Sequence, residues 1–268
     1  MDVIGQLHFL LNFVIVTIVS SCPGLGGSEV LYITPSPNLT CPGKPCLTLH
    51  QFAANVSQTN TTLLFLSGIH RLYLEFSVSG ICKFSLLSYS TLEGSQVDIT
   101  CHQSAGFKFD NIDNLWMRGL NLFGCGNNRA LSVKLFSIEN SKFEGQKDSE
   151  TALVANDTNI VIINSFFISN TVGSCFSTFA DIGYIYVRVG GAIFATLSNI
   201  TIIGSNFVGN SAEKGGVIYT QESNVTIIDS IFVQNQAATA DLHTQCSGTD
   251  NRIIKSICHG GVADMLNI

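Results

Sequence analysis

The chain has 268 residues and a formal net charge of −6; 46% of its residues are hydrophobic and only 12% are charged. That length suits one domain with a long core rather than several compact domains. Because the sequence contains no basic patch that would attract phosphates, nucleic acid is excluded from the expected partners.

The first element in chain order is an apolar run over residues 9–19, followed by small residues. This pattern predicts a signal peptide over residues 1–24, with cleavage between residues 22 and 28, and a secreted or cell-surface protein. Asp2 stands where a signal peptide usually carries Lys or Arg, so an uncleaved anchor is the alternative. A membrane is expected as a partner only if this segment stays uncleaved or the full-length chain has an anchor, since no other segment reaches transmembrane length.

Residues 29–60 form the predicted entry segment of the domain. Cys41 and Cys46 bracket a Pro-Gly-Lys-Pro loop, which we expect them to close with a disulfide bond. The apolar residues Leu47, Leu49 and Phe52 predict a short helix within residues 46–55. Such a helix would cover the exposed edge of the strands that follow.

The cysteines predict a disulfide framework. An even number remains if Cys22 leaves with the leader, and an even number in a secreted chain favours pairing. The candidates are Cys41, Cys46, Cys82, Cys101, Cys125, Cys175, Cys246 and Cys258. Cys246 and Cys258 are expected to pair, whereas Cys101 and Cys125 either bond or stack as buried free thiols on neighbouring turns. No Cys-x-x-Cys or His-x₃-His spacing occurs, so no metal or cofactor is expected.

Three stretches later in the chain align residue for residue, at 159–170, 199–210 and 224–235. Glycine pairs at 190–191 and 215–216 precede the last two, so their landmarks recur at 25 residues. Units this short, rich in Val, Ile, Phe and Thr and broken by turn residues, predict coils of short strands rather than pairs of helices. The predicted fold of residues 61–268 is therefore an all-β, single-stranded parallel β-helix.

The repeat predicts two columns of stacked side chains. The columns are Phe143, Phe167, Phe207 and Phe232, and Asn170, Asn210 and Asn235. Toward the N-terminus, residues 115–123 match residues 135–143 at a spacing of 20.

Spacing within the repeat also predicts two insertions. The interval from Asn170 to Asn210 is longer than one repeat, which places an insertion near residues 171–189. Gly260-Gly261 repeats Gly215-Gly216 after an interval that also exceeds one repeat, which places another over residues 236–259. Insertions in solenoids often form the binding surface. The chain stops at Ile268, within the turn that Gly260 begins, so we expect a fragment of a longer protein or an end covered by another subunit.

These motifs carry a family resemblance. Gly-Gly-Ala-Ile at 190–193 with Phe-x-x-Asn at 207–210, repeated as Gly-Gly-Val-Ile and Phe-x-x-Asn one unit later, resembles the repeat of the polymorphic outer-membrane protein family. Residues 114–123 resemble coils of right-handed parallel β-helix proteins with the pectin-lyase-like fold, and residues 46–52 and 62–70 are similar to the entry segment of animal extracellular β-helix proteins. The resemblance implies a fold but leaves the activity open, because one fold hosts many activities.

Six Asn-x-Ser/Thr sequons are candidates for glycosylation. They begin at Asn38, Asn55, Asn60, Asn156, Asn199 and Asn224. The last two share their repeat position with Asn159, which is not in a sequon. An asparagine kept at that position without the sequon suggests a structural ladder of side-chain amides.

No catalytic residue is predicted. Enzymes that cut acidic polysaccharides on this fold gather carboxylates with a base or a cation, whereas the acidic residues of the repeat are scattered. The nearest cluster, His102, Asp110, Asp113 and Arg118, is interpreted as turn residues. The Arg-Ile-Ile-Lys motif at 252–255, the His-Gly-Gly motif at 259–261, and the isolated His70 and His243 are assigned no role.

The sequence therefore favours a non-enzymatic scaffold or recognition protein outside the cell. Its corner loops would bind extracellular proteins or glycans. The alternative is a carbohydrate-active enzyme of the pectin-lyase-like fold, either a polysaccharide lyase or a glycoside hydrolase.

Overall fold

The computed structural model describes residues 29–36, 41, 46–52, 60–89, 96–102, 105–126, 128–146, 151–172, 176–179, 184–187, 189–237, 242–245, 252–254 and 257–259. The predicted signal peptide, the sequons at Asn38 and Asn55, Cys175, Cys246 and the C-terminal residues 260–268 lie outside this part. Within it, three stacked parallel sheets confirm the predicted parallel β-helix. Each turn, here called a rung, contributes one strand to each sheet.

The strands are short and follow one another with little intervening chain. The first half comprises β1 (Glu29–Ile33), β2 (Asn60–Leu66), β3 (Gly68–Leu72), β4 (Phe76–Ser79), β5 (Lys83–Tyr89), β6 (Val97–Cys101), β7 (Phe107–Asp110), β8 (Asn114–Arg118), β9 (Asn121–Phe123), β10 (Asn128–Leu131), β11 (Leu135–Glu139), β12 (Lys142–Glu144), β13 (Leu153–Asn156) and β14 (Asn159–Ile163). The second half comprises β15 (Phe166–Ile168), β16 (Phe176–Phe179), β17 (Tyr184–Val187), β18 (Ile193–Thr196), β19 (Asn199–Ile203), β20 (Asn206–Val208), β21 (Ser211–Ala212), β22 (Ile218–Gln221), β23 (Asn224–Ile228), β24 (Ile231–Val233), β25 (Gln236–Ala237), β26 (Leu242–Gln245), β27 (Arg252–Ile254) and β28 (Ile257–His259).

Every rung visits the sheets in the same order. The first sheet contains β1, β2, β5, β8, β11, β14, β19, β23 and β27; the second contains β3, β6, β9, β12, β15, β20, β24 and β28; the third contains β4, β7, β10, β13, β18, β22 and β26. In strands such as β4 and β9, buried and more exposed residues alternate, so one face packs into a core shared by all rungs. The main-chain groups of each inner rung pair with the rungs above and below.

The N-terminal end is covered by part of the entry segment. Strand β1 pairs in parallel with β2, and Ile33 bridges to Leu47 on its other side. The predicted capping helix is present as α1 (Leu49–Phe52), whose apolar residues Leu49 and Phe52 are buried. The ring of Phe52 stacks on Phe76 of the first rung, with 5.8 Å between centroids.

The corners between strands combine a left-handed residue with a buried hydroxyl. At the corner after the first sheet, Asn140, Asn164 and Asp229 have φ between 46° and 48°. The serine that follows is buried, and its Oγ donates to the carbonyl two residues earlier. The same Oγ accepts the N–H of the equivalent residue one rung before, which is Leu120 in the first case and a serine in the other three. These serines are Ser141, Ser165, Ser205 and Ser230. The ladder satisfies polar groups that a tight corner would otherwise bury unpaired.

Corner length differs between the three edges of the helix. From β8 onward, the first and second sheets are joined by two residues, and the third and first sheets are joined by two or three residues as far as β23. The second and third sheets are instead joined by three residues between β3 and β4 and by the much longer segment 169–192 between β15 and β18. Variation in chain length is therefore concentrated at one edge.

Two columns run through the core along the second sheet. The rings of Phe143, Phe167, Phe207 and Phe232 stack with centroids 4.8, 5.0 and 4.9 Å apart. Beside them the side-chain amide of Asn170 donates to that of Asn210, and Asn210 donates to Asn235, each at 3.0 Å. Each Asn Nδ2 also donates to a main-chain carbonyl beside the column of rings, so the buried amides are well paired.

One predicted register is wrong by one residue. The sequence match at a spacing of 20 aligned Phe123 with Phe143, but the structure pairs Phe143 with Leu122 and Phe123 with Glu144. Because side chains alternate across a strand, this shift moves Phe123 out of the core. Its ring instead lies 5.5 Å below the ammonium group of Lys142.

Residues between Thr171 and Val189 contain a hairpin instead of a rung. Strands β16 and β17 pair antiparallel in a sheet of their own. Beside this segment, Val154, Phe194 and Tyr219 lie on the outward face of the third sheet, yet they are buried together with Val189 in a second apolar cluster.

The second predicted insertion, over residues 236–259, is wrong. Strands β26, β27 and β28 pair with β22, β23 and β24 and so continue all three sheets. In the register of the phenylalanine column, Cys258 pairs with Phe232. The sequence match failed because this rung lacks the glycine pair and the Phe-x-x-Asn motif that mark its neighbours. The interval between Gly215 and Gly260 therefore contains a whole additional rung.

Two disulfide bonds join described cysteines to each other. Cys41 bonds Cys46 as predicted, and Cys101 bonds Cys125, which decides between the two alternatives left open for that pair. Cys82 is also disulfide-bonded. Disulfides persist in oxidising compartments, so the chain is suited to an extracellular or periplasmic environment.

Candidate functional site

A cavity of about 750 Å³ opens where the entry segment meets the first rung. We call it the entry groove and define it by its lining. One side is formed by Thr34, Pro35 and Thr48, and the other by Ile69, His70, Arg71, Tyr73 and Leu74. The groove therefore lies along β3 and the corner that leads to β4. Ligand sites of proteins are commonly concave and mostly apolar with a few polar groups, as this cavity is.

The wall of the entry groove is apolar but exposed. Ile69, Tyr73 and Leu74 expose 58%, 52% and 64% of their surface. The ring of Tyr73 stacks on His102 at 4.6 Å, with 14° between the ring planes. This contact holds a flat aromatic surface at the end of the groove. Neighbouring exposed apolar side chains of this size often mark an interaction site.

Local geometry explains why the groove stays open. Gly68 begins β3 with φ of 127°, and a Cβ there would lie 3.0 Å from Cγ of Pro35. Earlier in the chain, directly after β1, the backbone bends at Pro35, where Thr34 Oγ1 donates to the carbonyl of Ser36 at 2.7 Å. Strand β1 therefore covers the first sheet but does not extend along the second. The N-terminal edge of β3 is left facing the groove.

That edge carries unused main-chain groups. The N–H of Gly68 and the C=O of Leu72 both bond toward β6. Because successive residues of a strand direct their peptide groups to opposite edges, Ile69 and Arg71 direct theirs to the groove. Neither residue has a hydrogen-bond partner there among the described contacts. The side chain of Arg71 is exposed and forms no ion pair with a described residue.

His70 forms the buried floor of the groove. It starts the inward column of the second sheet, in register with Ile99. Its Nε2 lies 2.8 Å from the carbonyl of Leu66, while Nδ1 is buried without a hydrogen-bond partner among the described groups. Burial lowers the pKa of His70, and the Leu66 carbonyl and the carboxylate of Asp98 partly oppose that effect. A neutral imidazole is therefore favoured at this position.

The residues that the sequence analysis considered as a cluster, among them His102, Asp113 and Arg118, contact different partners. Lys134 lies 2.5 Å from the carboxylate of Asp113, and Arg118 lies 3.8 Å from Glu139 on the first sheet. His102 contributes to the entry groove through Tyr73. Among described residues, no group of three or more His, Cys, Asp or Glu is placed to hold a metal ion. Arg252 and His259 lie on the last two strands, whereas Lys255 is outside the described part.

The described sequons lie on strands of the first and third sheets. Asn199 Nδ2 donates to Asn159 at 2.8 Å, and Asn224 Nδ2 donates to Asn199 at 2.8 Å, which forms an amide ladder on the outside. Asn156 accepts a hydrogen bond from Thr196 at 2.7 Å. Asn60 begins β2 and is buried, so a glycan there would require its side chain to leave that position.

Sequence reasoning did not find the entry groove. The available signal was Tyr73-Leu74, a pair of large apolar residues at a corner that begins with His102 in the next rung and with Gly, Ser or Gln in the later described rungs. Searches against protein-family models, curated proteins and solved structures found no match. None of the helices described is long and apolar enough to cross a membrane. The fold class that the strands define is a parallel β-helix, and function has to be argued from the groove.

Proposed function

We propose that this chain is an extracellular recognition module with a right-handed β-helix of the pectin-lyase-like type. It binds an extracellular protein or glycan in the entry groove and acts as a scaffold rather than as an enzyme. The observation that carries the proposal is the cavity of about 750 Å³ bordered by the exposed side chains of Ile69, Tyr73 and Leu74.

The composition of the groove supports binding. Burying exposed apolar surface stabilises a complex by about 25 cal/mol per Å², and tyrosine is enriched among residues that dominate binding energy. Tyr73 is held by its stack on His102, so little side-chain freedom is lost when a ligand covers it. The two groove walls come from the entry segment and from the first rung, which are joined by the pairing of β1 with β2, and this favours a preformed site.

The extracellular assignment is supported by three features of the chain. These are the leader-like run at residues 9–19, the sequons and the disulfide bonds. The resemblance of the Gly-Gly and Phe-x-x-Asn repeat to polymorphic outer-membrane proteins supports the fold type. Expressed in animal cells, the protein is expected in the medium, with a mobility shift on glycosidase treatment and few free thiols. Retention in the cytosol with reactive thiols would contradict this assignment.

The binding site can be tested on an array of extracellular proteins and glycans. The wild-type protein is compared with the double variant Ile69→Ser, Leu74→Ser, which removes apolar groove surface at exposed positions. The matched control is Leu197→Ser, which removes an apolar side chain of 57% exposure elsewhere. We expect ligands of the wild type to be lost by the double variant and kept by the control. Equal binding by all three proteins would show that the groove is not the site.

A further inference from the structure

The free edge of β3 indicates which chemical class of partner the entry groove binds. Ile69 and Arg71 together offer two N–H donors and two C=O acceptors that alternate along the groove. An extended polypeptide carries the same alternation and can satisfy all of these groups at once. A glycan offers hydroxyl groups without that regular spacing. The main chain of a partner therefore fits this edge better than a sugar does.

The charge and the shape of the groove further restrict the class of partner that it can bind. Arg71 is the one charged residue among the described groove residues, and its guanidinium has no ion-pair partner among them. An acidic side chain on the partner would complement it. Ile69 and Leu74 would contact apolar side chains of the added segment. Edge strands of natural sheets are usually covered or protected, so an open edge beside apolar surface indicates a site for strand addition.

We propose that an extended polypeptide segment of a partner protein adds to β3 as a further strand of the second sheet. Apolar side chains of the segment pack on Ile69 and Leu74, and an acidic side chain pairs with Arg71. This inference rests on the proposed function and names the partner class of the same groove.

The test uses synthetic peptides as probes. One peptide of about nine residues contains valine and threonine with a central aspartate, which suits an extended conformation. A second peptide has lysine in place of the aspartate. We expect the acidic peptide to bind the secreted protein at least about tenfold more tightly than the basic one. Variant Arg71→Glu should reverse that preference.

Main-chain pairing is tested by replacing amides of the acidic peptide with esters. Two depsipeptides carry esters at either the odd or the even positions, so each loses the N–H donors of one strand edge only. Strand addition uses one edge, so one depsipeptide should lose at least about tenfold in affinity and the other should bind like the parent. Equal affinity of both depsipeptides and the parent overturns the inference.

On the protein side, Ile69→Pro removes a groove-facing N–H without removing a bond to β6. Proline is tolerated at such positions of edge strands. The variant should lose at least about tenfold in affinity for the acidic peptide, whereas Ile69→Val, which keeps the N–H, should not. Amide hydrogen exchange gives a second measurement. The amides of Ile69 and Arg71 should exchange fast in the free protein and become protected with peptide, while those of His70 and Leu72 are protected throughout.

Other outcomes separate this inference from the proposed function. If the array ligand of the groove is a glycan and neither peptide binds, the inference fails and the proposed function stands. If Ile69→Pro lowers the melting temperature strongly and neither peptide binds the wild type, a segment of the chain itself occupies the edge, and the inference also fails. If no array ligand and no peptide binds, both fail.

Discussion

At the scale of single residues, the stacked rungs require particular backbone conformations at their corners. The corner after the third sheet has a left-handed residue in every rung from β4 to β22, and equivalent positions are held by Asp157, Leu197 and Glu222. In this conformation any Cβ is close to the following carbonyl oxygen, but the short polar side chains of Asp and Asn can hydrogen-bond locally and offset that strain, which leucine cannot do. Leu197 has φ of 50° and is 57% exposed, so burial does not compensate for the strain.

Replacing Leu197 with asparagine should therefore stabilise the protein. The polar side chain of asparagine can hydrogen-bond locally and offset the left-handed strain, so for Leu197→Asn we expect the free energy of unfolding to rise by up to about 1 kcal/mol. A urea denaturation series measures the change through its midpoint. The control is Leu197→Ala, which removes the exposed apolar surface but supplies no polar group that could offset the strain. If alanine stabilises as much as asparagine, the polar side chain of asparagine is not the cause.

His70 should make the stability of the fold depend on pH. Its pKa is lowered in the folded state, mainly by burial, from the ordinary value of 6.5. As pH falls below that value, the unfolded chain binds a proton at this imidazole before the folded chain does. Stability contributed by the neutral imidazole is therefore complete above the unfolded pKa and is lost as the pH falls toward the lowered folded pKa.

The measurement is the melting temperature between about pH 7.5 and about pH 5. The wild type should lose stability over this range, and His70→Gln, which keeps a side-chain N–H for the Leu66 carbonyl, should lose less. His102→Gln serves as the control because it removes an exposed imidazole. A wild-type acid dependence that His70→Gln leaves unchanged would show that other groups cause it.

At the scale of the strand, alternation decides what each side chain contributes. Phe166 and Phe167 are neighbours on β15, but Phe166 is 43% exposed on the outside while Phe167 is fully buried between two other rings. The two side chains are chemically identical and differ only in the face of the strand on which they lie. Substituting each one therefore shows how much of the stability comes from packing in the core rather than from the residue type.

Phe167→Ala should cost about 3–5 kcal/mol of unfolding free energy, because it removes a stacked ring and leaves a cavity. Phe166→Ala should change stability by no more than about 0.5 kcal/mol. Chemical denaturation of both variants beside the wild type gives the comparison. Similar losses in the two variants would mean that the outward face is also buried in solution, against the geometry described.

The columns of the core could be predicted from the sequence because identical residues recur at equivalent positions of stretches that align residue for residue. Phe167, Phe207 and Phe232 are of this kind. Phe123 was misplaced because the rung there is one residue longer than the sequence match assumed, and a slip of one residue reverses the face of a strand. The buried serine ladder also recurs in the sequence, at Ser165, Ser205 and Ser230, but it was overlooked since serine has no preference for the core.

The entry groove could not be predicted from the repeat. Pro35 and Ile69 border the same groove because β1 covers only the first sheet and the chain then bends away. Periodicity describes contacts between equivalent positions of successive rungs. The groove joins non-equivalent positions, so its existence depends on where β1 ends and the chain bends at Pro35.

At the scale of the whole molecule, each rung is stabilised by the rungs next to it. The disulfide bonds add covalent connections to these contacts. Cys101–Cys125 joins two successive rungs with a sequence separation of 24, whereas Cys41–Cys46 closes a loop with a sequence separation of 5. A longer loop restricts the unfolded chain more.

Replacing both Cys101 and Cys125 with alanine should therefore cost about 3 kcal/mol, against about 2 kcal/mol for the pair Cys41 and Cys46. Thermal and urea unfolding of the two double variants measure these losses. A larger loss from the short loop would show that the entry segment depends on its disulfide for native packing rather than for loop entropy.

Unequal corner lengths have a consequence for how this kind of protein can diversify. At two edges of the helix, a corner contains two or three residues over most of the stack, and an added residue would displace a left-handed position and its serine. At the third edge, the long segment 169–192 separates β15 from β18 while the strands on both sides keep their register. Insertions and deletions can therefore accumulate along one line down the molecule without remaking the core. A lineage of such proteins could acquire new loops there one at a time, including at the corner where Tyr73 and Leu74 border the entry groove, while its framework stays the same.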